Sequence, residues 1–336
     1  MDPESVDAVD RVPHGSSDDP DVLDLSANTN PRVPDGTGSV YESALGSAGS
    51  YPDDGYPAFR RAAAEYVGCA PESVVPTAGG LAAIRLAIGV TVSPGDRVLV
   101  PHPSFGEYAR EVRLAGGTVV SVPHGELLEC DPDGYEMAIT CNPNNPTGGA
   151  HPPEKLRAFA ERCSAADTRL LVDEAFLGFT DRPSMAETGC TVARSLTKLF
   201  GLPGLRAGFA VAEGSALDRL RTARQPWSLG APAAAVGAHA MRDAPFIEET
   251  RRRVARERAV LREGLTERGF EVSPSDAPFL LCDVGGPPDD LLSACRERGV
   301  VLRDATTFRG LDRHVRIAVR DRDSTDRLLA VLDEVR

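Results

Sequence analysis

The chain has 336 residues, of which 41% are hydrophobic, and this length suits a large domain with a smaller one beside it. Fifty acidic residues outnumber 37 basic ones and give a net charge of −13, which argues against nucleic acid as a partner. No apolar run approaches the ~20 residues of a membrane span, and the acidic N-terminus lacks a signal-peptide pattern, so we expect neither a membrane partner nor secretion.

Two features of the composition bear on the salt concentration and the cellular compartment in which the protein works. Lys155 and Lys198 are the only lysines among the 37 basic residues. Scarce lysine together with excess acid predicts a halophilic protein, although ordinary acidic enzymes share the acidity. Seven cysteines without a C-x-x-C pair predict buried thiols in a reducing compartment, and hence a cytoplasmic protein without a metal site.

Residues 1 to 50 are rich in Asp, Pro, Gly and Ser and predict an irregular arm with one short strand, Val22–Leu25. A helix ending near Val67 follows, and strands then alternate with helices that start near Pro76, Phe105 and Pro153. The predicted strands are Val98–Val100, Thr118–Val122, Met137–Cys141, Leu170–Val172, Val192–Ser195 and Ala207–Ala212. This alternation predicts an α/β fold with a mostly parallel central sheet and flanking helices.

The last part of the chain predicts a smaller α+β domain. It opens with a long helix rich in Arg and Glu, Pro245–Arg268, which is typical of a solvated face with charge pairs. The elements predicted after it are the strand Phe279–Val284, the helix Pro287–Arg298, the strands Val300–Arg303 and His314–Val319, and the helix Ser324–Val335.

The stretch from Arg194 to Gly208 carries the most specific chemical signal. Its glycines and Pro203 predict a shaped loop, and Lys198 lies in that loop with Ser195 before it and Arg206 after it. A desolvated lysine can lose its proton and attack a carbonyl, whereas arginine cannot. A solvated surface lysine is the ordinary alternative. Because Ser195 and Arg206 both suit an anion, we interpret Lys198 as an imine-forming amine beside a bound phosphate.

Two further stretches suit the same ligand. Thr77–Leu81 opens a helix with Gly79 and Gly80, so its free backbone N–H groups offer an anion site. Asp173 ends an apolar strand, which is where α/β folds place site residues, although an aspartate there can also cap a helix.

An amide and an aromatic ring complete the candidate site. Asn145 lies in a rigid double Asn-Pro loop and has an amide that can donate to a phenolate oxygen. Phe105, in Pro-Ser-Phe-Gly-Glu-Tyr, could lie flat on an aromatic ring, or it could be an ordinary core residue.

Together these motifs resemble the fold type I pyridoxal phosphate enzymes, the aspartate aminotransferase superfamily, over essentially the whole chain. The resemblance rests on Asn-Pro-Asn-Asn-Pro-Thr-Gly around Asn145, Asp-Glu-Ala from Asp173, and Ser-x-x-Lys followed by Arg206. It implies a large domain over residues 51–240 that binds pyridoxal 5'-phosphate and a small domain over 241–336. Residues 1–50 are implied to be an arm that belongs to the small domain and the substrate site.

The resemblance also implies roles for the candidate residues at the cofactor. Lys198 is implied to form the Schiff base, Asp173 to pair with the pyridinium nitrogen, Asn145 to hydrogen-bond O3′ and Phe105 to stack on the ring. The residues implied at the phosphate are Gly79, Gly80, Leu81, Ser195 and Arg206. Tyr51 is implied to reach the phosphate of a neighbouring subunit, so a homodimer is expected.

Within the superfamily, the chain is similar both to histidinol-phosphate aminotransferases and to threonine-phosphate decarboxylases of cobalamin side-chain synthesis. Three features resemble the decarboxylases: His14-Gly15 followed by Asp-Leu-Ser-Ala-Asn-Thr-Asn-Pro, Phe176 in place of the usual tyrosine, and phenylalanine at position 105. Ser16 departs from the second glycine of the decarboxylase pattern, and Leu25 departs from its phenylalanine.

The sequence therefore predicts an enzyme that decarboxylates O-phospho-L-threonine to 1-aminopropan-2-yl phosphate. Substrate contacts are predicted from His14, Asn30 and Arg32, and a carboxylate contact from Arg316, with Arg320 as an open alternative. An aminotransferase acting on histidinol phosphate or another amino acid is the second hypothesis. A non-catalytic regulator that binds pyridoxal phosphate is the third, although no basic helix-turn-helix segment accompanies Lys198.

Overall fold

The computed structural model describes residues 1–335 as a set of helices and strands whose bounds follow in chain order. The helices are α1 (Pro3–Val6), α2 (Thr37–Leu45), α3 (Pro57–Val67), α4 (Gly80–Thr91), α5 (Glu107–Leu114), α6 (Pro153–Ala165), α7 (Gly214–Ala223), α8 (Ala231–Met241), α9 (Ala244–Glu267), α10 (Asp289–Glu297) and α11 (Arg322–Val335). The strands are β1 (Leu23–Asp24), β2 (Val74–Thr77), β3 (Arg97–His102), β4 (Thr118–Pro123), β5 (Met137–Cys141), β6 (Arg169–Asp173), β7 (Thr191–Ser195), β8 (Gly208–Val211), β9 (Glu271–Val272), β10 (Phe279–Asp283), β11 (Val300–Val301), β12 (Arg303–Asp304) and β13 (His314–Ala318).

The predicted α/β fold with a mostly parallel central sheet is confirmed. A seven-stranded sheet has the order β2-β8-β7-β6-β5-β3-β4, and only β8 runs antiparallel to its neighbours. All five residues of β5 are buried, and four of five in β6. Strands buried on both faces need helices on both faces, which explains their continuous apolar sequences.

One edge of this sheet collects the segments that carry the predicted chemistry. Parallel strands end at the same edge, and β5 and β6 are in register so that Cys141 is opposite Asp173. The antiparallel β8 begins at this edge, where Gly208 pairs with Thr77 and with Ser195. The loops after β2, β3, β5, β6 and β7 therefore converge there.

A second, four-stranded sheet of order β12-β13-β10-β9 lies in the C-terminal part of the chain. The N-terminal segment joins this part through β1, which pairs in parallel with β11. The Leu25 N–H donates to the Val301 carbonyl at 2.8 Å, and the Ala318 N–H donates to the Leu25 carbonyl at 2.9 Å. Residues near the N-terminus are thereby fixed next to β13, which carries Arg316.

The description of residues 1–50 as an irregular arm with one strand is wrong in two places. Pro3–Val6 form the short helix α1, and Thr37–Leu45 form α2, which packs on α8. Its sequence, Thr-Gly-Ser-Val-Tyr-Glu-Ser-Ala-Leu, has low helix propensity and begins at a glycine without a side-chain cap. Packing on another helix, which no local pattern reveals, stabilises it.

Several other elements also differ from the predictions. The sequence pattern did not indicate α7 and α8, or the strand β2 before the Gly79 turn. The single strand predicted over Val300–Arg303 is two short strands with different partners, β11 beside β1 and β12 beside β13. Among residues 1–335, no helix is both long and apolar enough to cross a membrane.

Candidate active site

The start of α4 and the loop after β7 form a tight cradle for an anion. Gly79 has φ +97°, and a Cβ on it would lie 2.9 Å from the Arg206 guanidinium. A Cβ on Gly208 would lie 2.6 Å from backbone atoms of Gly79 and Gly80. These two chain segments can therefore lie this close only because Gly208 has no side chain. The Ser195 hydroxyl is 2.8 Å from that of Thr197. Free N–H groups at a helix start, a hydroxyl and an arginine fit a phosphate group.

Lys198 lies in the loop after β7, beside this cradle. The pKa of its amine is lowered to about 8, chiefly by burial and then by the positive charges of Arg316 and Arg206, whereas the charge of Asp173 opposes this shift. A lysine with this pKa is partly neutral near pH 8, which is the form that attacks a carbonyl. By contrast, Lys155 is exposed, with its Nζ 3.6 Å from a Glu129 carboxylate oxygen.

Asp173 ends β6 as a buried carboxylate whose two oxygens are both hydrogen-bonded. The Tyr108 hydroxyl donates to Oδ2 at 2.6 Å, and the Ala175 N–H donates to Oδ1 at 2.9 Å. Burial raises the pKa of Asp173, while these two donors and the charge of Lys198 lower it. Such a carboxylate can hold a proton on a basic ring nitrogen.

Asn145 and Phe105 line the same cavity as Lys198 and Asp173. Arg316 donates to the Asn145 Oδ1 atom, so the amide nitrogen of Asn145 is its remaining donor. Phe105 lies edge-on to Tyr108, with ring centroids 5.6 Å apart and an interplanar angle of 84°. The sequence-predicted ring contacts are thus brought together in one cavity of about 170 Å³.

Arg303 is a cavity residue that the sequence analysis missed. It lies on β12, and it donates to the Pro13 carbonyl and the Thr307 hydroxyl, each at 2.8 Å. Arg316 on β13 donates to the Ser26 carbonyl at 2.8 Å, and its Nε atom is buried without a hydrogen-bond partner among the described residues. The two side chains form a pair of buried cations in one cavity. No local motif around Arg303 indicates this position.

Asn28 and Tyr108 also line the cavity and were not assigned to the site from sequence. The Asn28 Oδ1 atom is buried and has no partner among residues 1–335. An unpaired buried amide oxygen is costly unless a ligand completes its hydrogen bonding. Asn28 lies in the Ser-Ala-Asn motif of the arm, and this motif is the sequence feature that could have indicated a site residue there.

The predicted substrate residues divide into two groups. His14 lines the cavity mouth, with Nε2 3.0 Å from a Glu107 carboxylate oxygen. Asn30 does not line the cavity. Its amide nitrogen donates to the Leu199 carbonyl at 2.7 Å and its backbone N–H to the Lys198 carbonyl at 3.1 Å, so it supports the lysine loop instead. Arg32, two residues after Asn30, has an exposed side chain.

Arg320 and Tyr51 also lie outside the cavity of their own chain. Arg320 donates to the Asp24 carbonyl at 3.3 Å. Arg316 lines the cavity, and Arg320 does not. Tyr51 is 79% exposed and stacks on Trp227, with ring centroids 4.4 Å apart.

Comparisons with known proteins agree with this geometry. A family model described as aminotransferase class I and II matches residues 20–332. The chain is similar to the histidinol-phosphate aminotransferase of Symbiobacterium thermophilum, with 31% identity over 93% of this chain and 90% of that protein. Among solved structures, the histidinol-phosphate aminotransferase of Clostridium acetobutylicum has a TM-score of 0.86 at 26% identity, covering 94% of this chain and 99% of that one.

A second solved structure is named L-threonine-O-3-phosphate decarboxylase, from Porphyromonas gingivalis. Its TM-score is 0.85 at 24% identity, and the match covers 93% of this chain and 99% of that one. At this identity the likeness shows the fold alone.

The lowered pKa of Lys198 gives a prediction for the protein without cofactor. In a Lys155→Arg variant, Lys198 is the remaining lysine, and its acylation rate should rise as pH rises through about 8. Asp173→Asn should move this midpoint to lower pH, because the carboxylate charge raises the lysine pKa. Mass spectrometry of Lys198 after brief acylation measures both. A midpoint near the ordinary lysine pKa of ~10.4 would contradict the described burial.

Proposed function

The chain is an enzyme of the aminotransferase class I and II family that uses pyridoxal 5'-phosphate, and on that premise we propose that it decarboxylates O-phospho-L-threonine to 1-aminopropan-2-yl phosphate. The pair of buried arginines in the cavity carries this proposal. Arg303 is 8% exposed and Arg316 is 7% exposed. Among residues 1–335, their hydrogen-bond acceptors are all neutral: two carbonyls, a hydroxyl and an amide oxygen.

Two buried cations with neutral acceptors favour a ligand with two anionic groups, because buried charge is stabilised by pairing. O-phospho-L-threonine carries a carboxylate and a phosphate on adjacent carbons. We assign the carboxylate to Arg316, which is beside Lys198 and Asn145, and the phosphate to Arg303. His14 at the cavity mouth is a further phosphate ligand, supported by its contact with Glu107.

An aminotransferase is the second candidate, and the relatives named histidinol-phosphate aminotransferase support it. Histidinol phosphate itself carries one anionic group, so it leaves one of the two arginines without a partner. A dicarboxylate amino-group donor or acceptor would occupy both. The two candidates differ in which bond to the substrate α-carbon breaks. Decarboxylation breaks the bond to the carboxylate, and amino transfer breaks the bond to hydrogen.

The residues of the cavity and of the adjoining anion cradle suit the cofactor as follows. We propose that Gly79, Gly80, Leu81, Ser195 and Arg206 hold its phosphate, and that Lys198 bonds its aldehyde carbon. Asp173 would pair with the ring nitrogen, Asn145 would donate to the ring oxygen O3′, and Phe105 would stack on the ring.

Bound pyridoxal phosphate supplies an electron sink for the pair released when a bond to the substrate α-carbon breaks. As a carboxylate, Asp173 would hold a proton on the ring nitrogen, and this would strengthen that sink. With the cofactor bound, the Lys198 amine would be placed to act as a general acid and base beside the substrate α-carbon. In decarboxylation, the α-carbon loses carbon dioxide and gains one proton, and Lys198 Nζ is the group beside it that can deliver this proton.

We further propose that two copies assemble, with Tyr51 reaching the phosphate of the neighbouring subunit. The exposed stack of Tyr51 on Trp227 supports this, since large aromatic side chains at a monomer surface are typical of interfaces. Sedimentation of the holoenzyme measures its mass in solution. We expect the mass of two chains, and the mass of a single chain would contradict this assembly.

The first prediction for this function concerns carbon dioxide. The holoenzyme incubated with O-phospho-L-threonine, and with no keto acid, should release carbon dioxide and form one equivalent of 1-aminopropan-2-yl phosphate. Carbon dioxide capture together with ³¹P NMR of the product measures both. Amino transfer to a keto acid without carbon dioxide release would replace this proposal with the second candidate.

The second prediction concerns Arg303. Arg303→Gln should raise KM for O-phospho-L-threonine by about 30- to 100-fold, because a buried charged hydrogen bond to the phosphate is lost. Activity on unphosphorylated L-threonine should change little, so the preference for the phosphorylated substrate falls. Arg309→Gln, an exposed arginine six positions along the same segment, is the matched control. Equal effects on both substrates would contradict a phosphate contact from Arg303.

A further inference from the structure

Tyr108 contacts two of the groups that we assign to the cofactor ring. Its hydroxyl donates to Asp173 Oδ2 at 2.6 Å, and its ring packs edge-on against Phe105 at 5.6 Å between centroids. The side chain is fully buried, at 0% exposure. It comes from α5, whereas Asp173 ends β6, so one residue links two separate elements of the site.

From these contacts we infer that Tyr108 is a positioning residue that keeps the Asp173 carboxylate ionised and correctly turned toward the cofactor ring. Tyr108 and the Ala175 N–H hold one carboxylate oxygen each, so the carboxyl group has a fixed rotation. The same tyrosine supports the edge of Phe105. The ring nitrogen and one ring face are thus controlled through a single side chain.

The chemistry of the pair supports this role. Burial alone favours the neutral form of a carboxyl group, and a neutral carboxyl group does not hold a proton on a pyridine nitrogen. A hydrogen bond donated to the carboxylate stabilises the charged form and so opposes the burial that raises the pKa of Asp173. Burial and the nearby Asp173 charge raise the pKa of the Tyr108 phenol well above its usual value, so the phenol keeps its proton and remains a donor.

Three other groups face Tyr108 and Asp173, namely Lys198, Arg194 and Cys141. The positive charges of Lys198 and Arg194 lower the pKa of Asp173. The Cys141 thiol lies against both Tyr108 and Asp173, and burial raises its pKa well above the ordinary value, so it stays neutral. Replacing Tyr108 removes a donor while leaving these charges in place.

The test is Tyr108→Phe, which deletes one oxygen and keeps the ring packing on Phe105. The dissociation constant of pyridoxal phosphate is measured by absorbance titration over a range of pH. We expect weaker binding by about tenfold at acidic pH and a smaller change at alkaline pH. The sign follows because loss of the donor raises the Asp173 pKa, so the carboxyl group becomes neutral at a higher pH than in the unmodified protein.

Tyr56→Phe is the matched control, because the Tyr56 hydroxyl is also buried and donates to the Leu229 carbonyl at 2.9 Å. Its cofactor affinity should equal that of the unmodified protein at every pH. Thermal unfolding of the cofactor-free variants compares the structural cost of the two substitutions.

An Asp173→Asn background separates positioning from simple loosening of the fold. If Tyr108 acts through the carboxylate, Tyr108→Phe should have no further pH-dependent effect in that background. A loss of affinity that is equal at all pH values, or equally large with Asn at position 173, would overturn the inference. These readouts do not depend on which bond of the substrate breaks, so they stand apart from the proposed decarboxylation.

Discussion

The site depends on one electrostatic relation, that between a buried carboxylate, Asp173, and a buried amine, Lys198. Neither group is stable as an isolated charge in the interior, since desolvation raises the pKa of one and lowers that of the other. The sheet brings them together because β6 and β7 are parallel neighbours whose ends meet at one edge. A cationic ring with an electrophilic carbon between them would satisfy both.

The local charge of the cavity is opposite to that of the whole chain. The protein carries a net charge of −13, yet Lys198, Arg303 and Arg316 converge on a cavity of about 170 Å³. Long-range repulsion of anions by the acidic surface is screened within about 8 Å at physiological ionic strength, whereas these buried cations are not. A cavity with these charges would suit a doubly anionic substrate, whatever the overall charge of the chain.

Motifs that are local in sequence led directly to Lys198, Asp173 and Asn145, which line one cavity. The glycines of the anion cradle were also predicted from the sequence, because few other residues allow backbones to approach so closely. Arg303 and Tyr108 were not found, since each becomes a site residue only through long-range packing of β12 and α5. Asn30 shows the reverse case, in which a motif residue at the right place in the chain supports the lysine loop and not a ligand.

Borohydride reduction of the holoenzyme, followed by peptide mapping, tests the central assignment most directly. Reduction fixes the cofactor to the amine that holds it, and the chain offers two lysines for comparison, Lys155 and Lys198. We expect a phosphopyridoxyl group on Lys198 alone, and a large loss of bound cofactor in Asp173→Asn. A phosphopyridoxyl group on Lys155, or cofactor bound with no covalent link to Lys198, would contradict it.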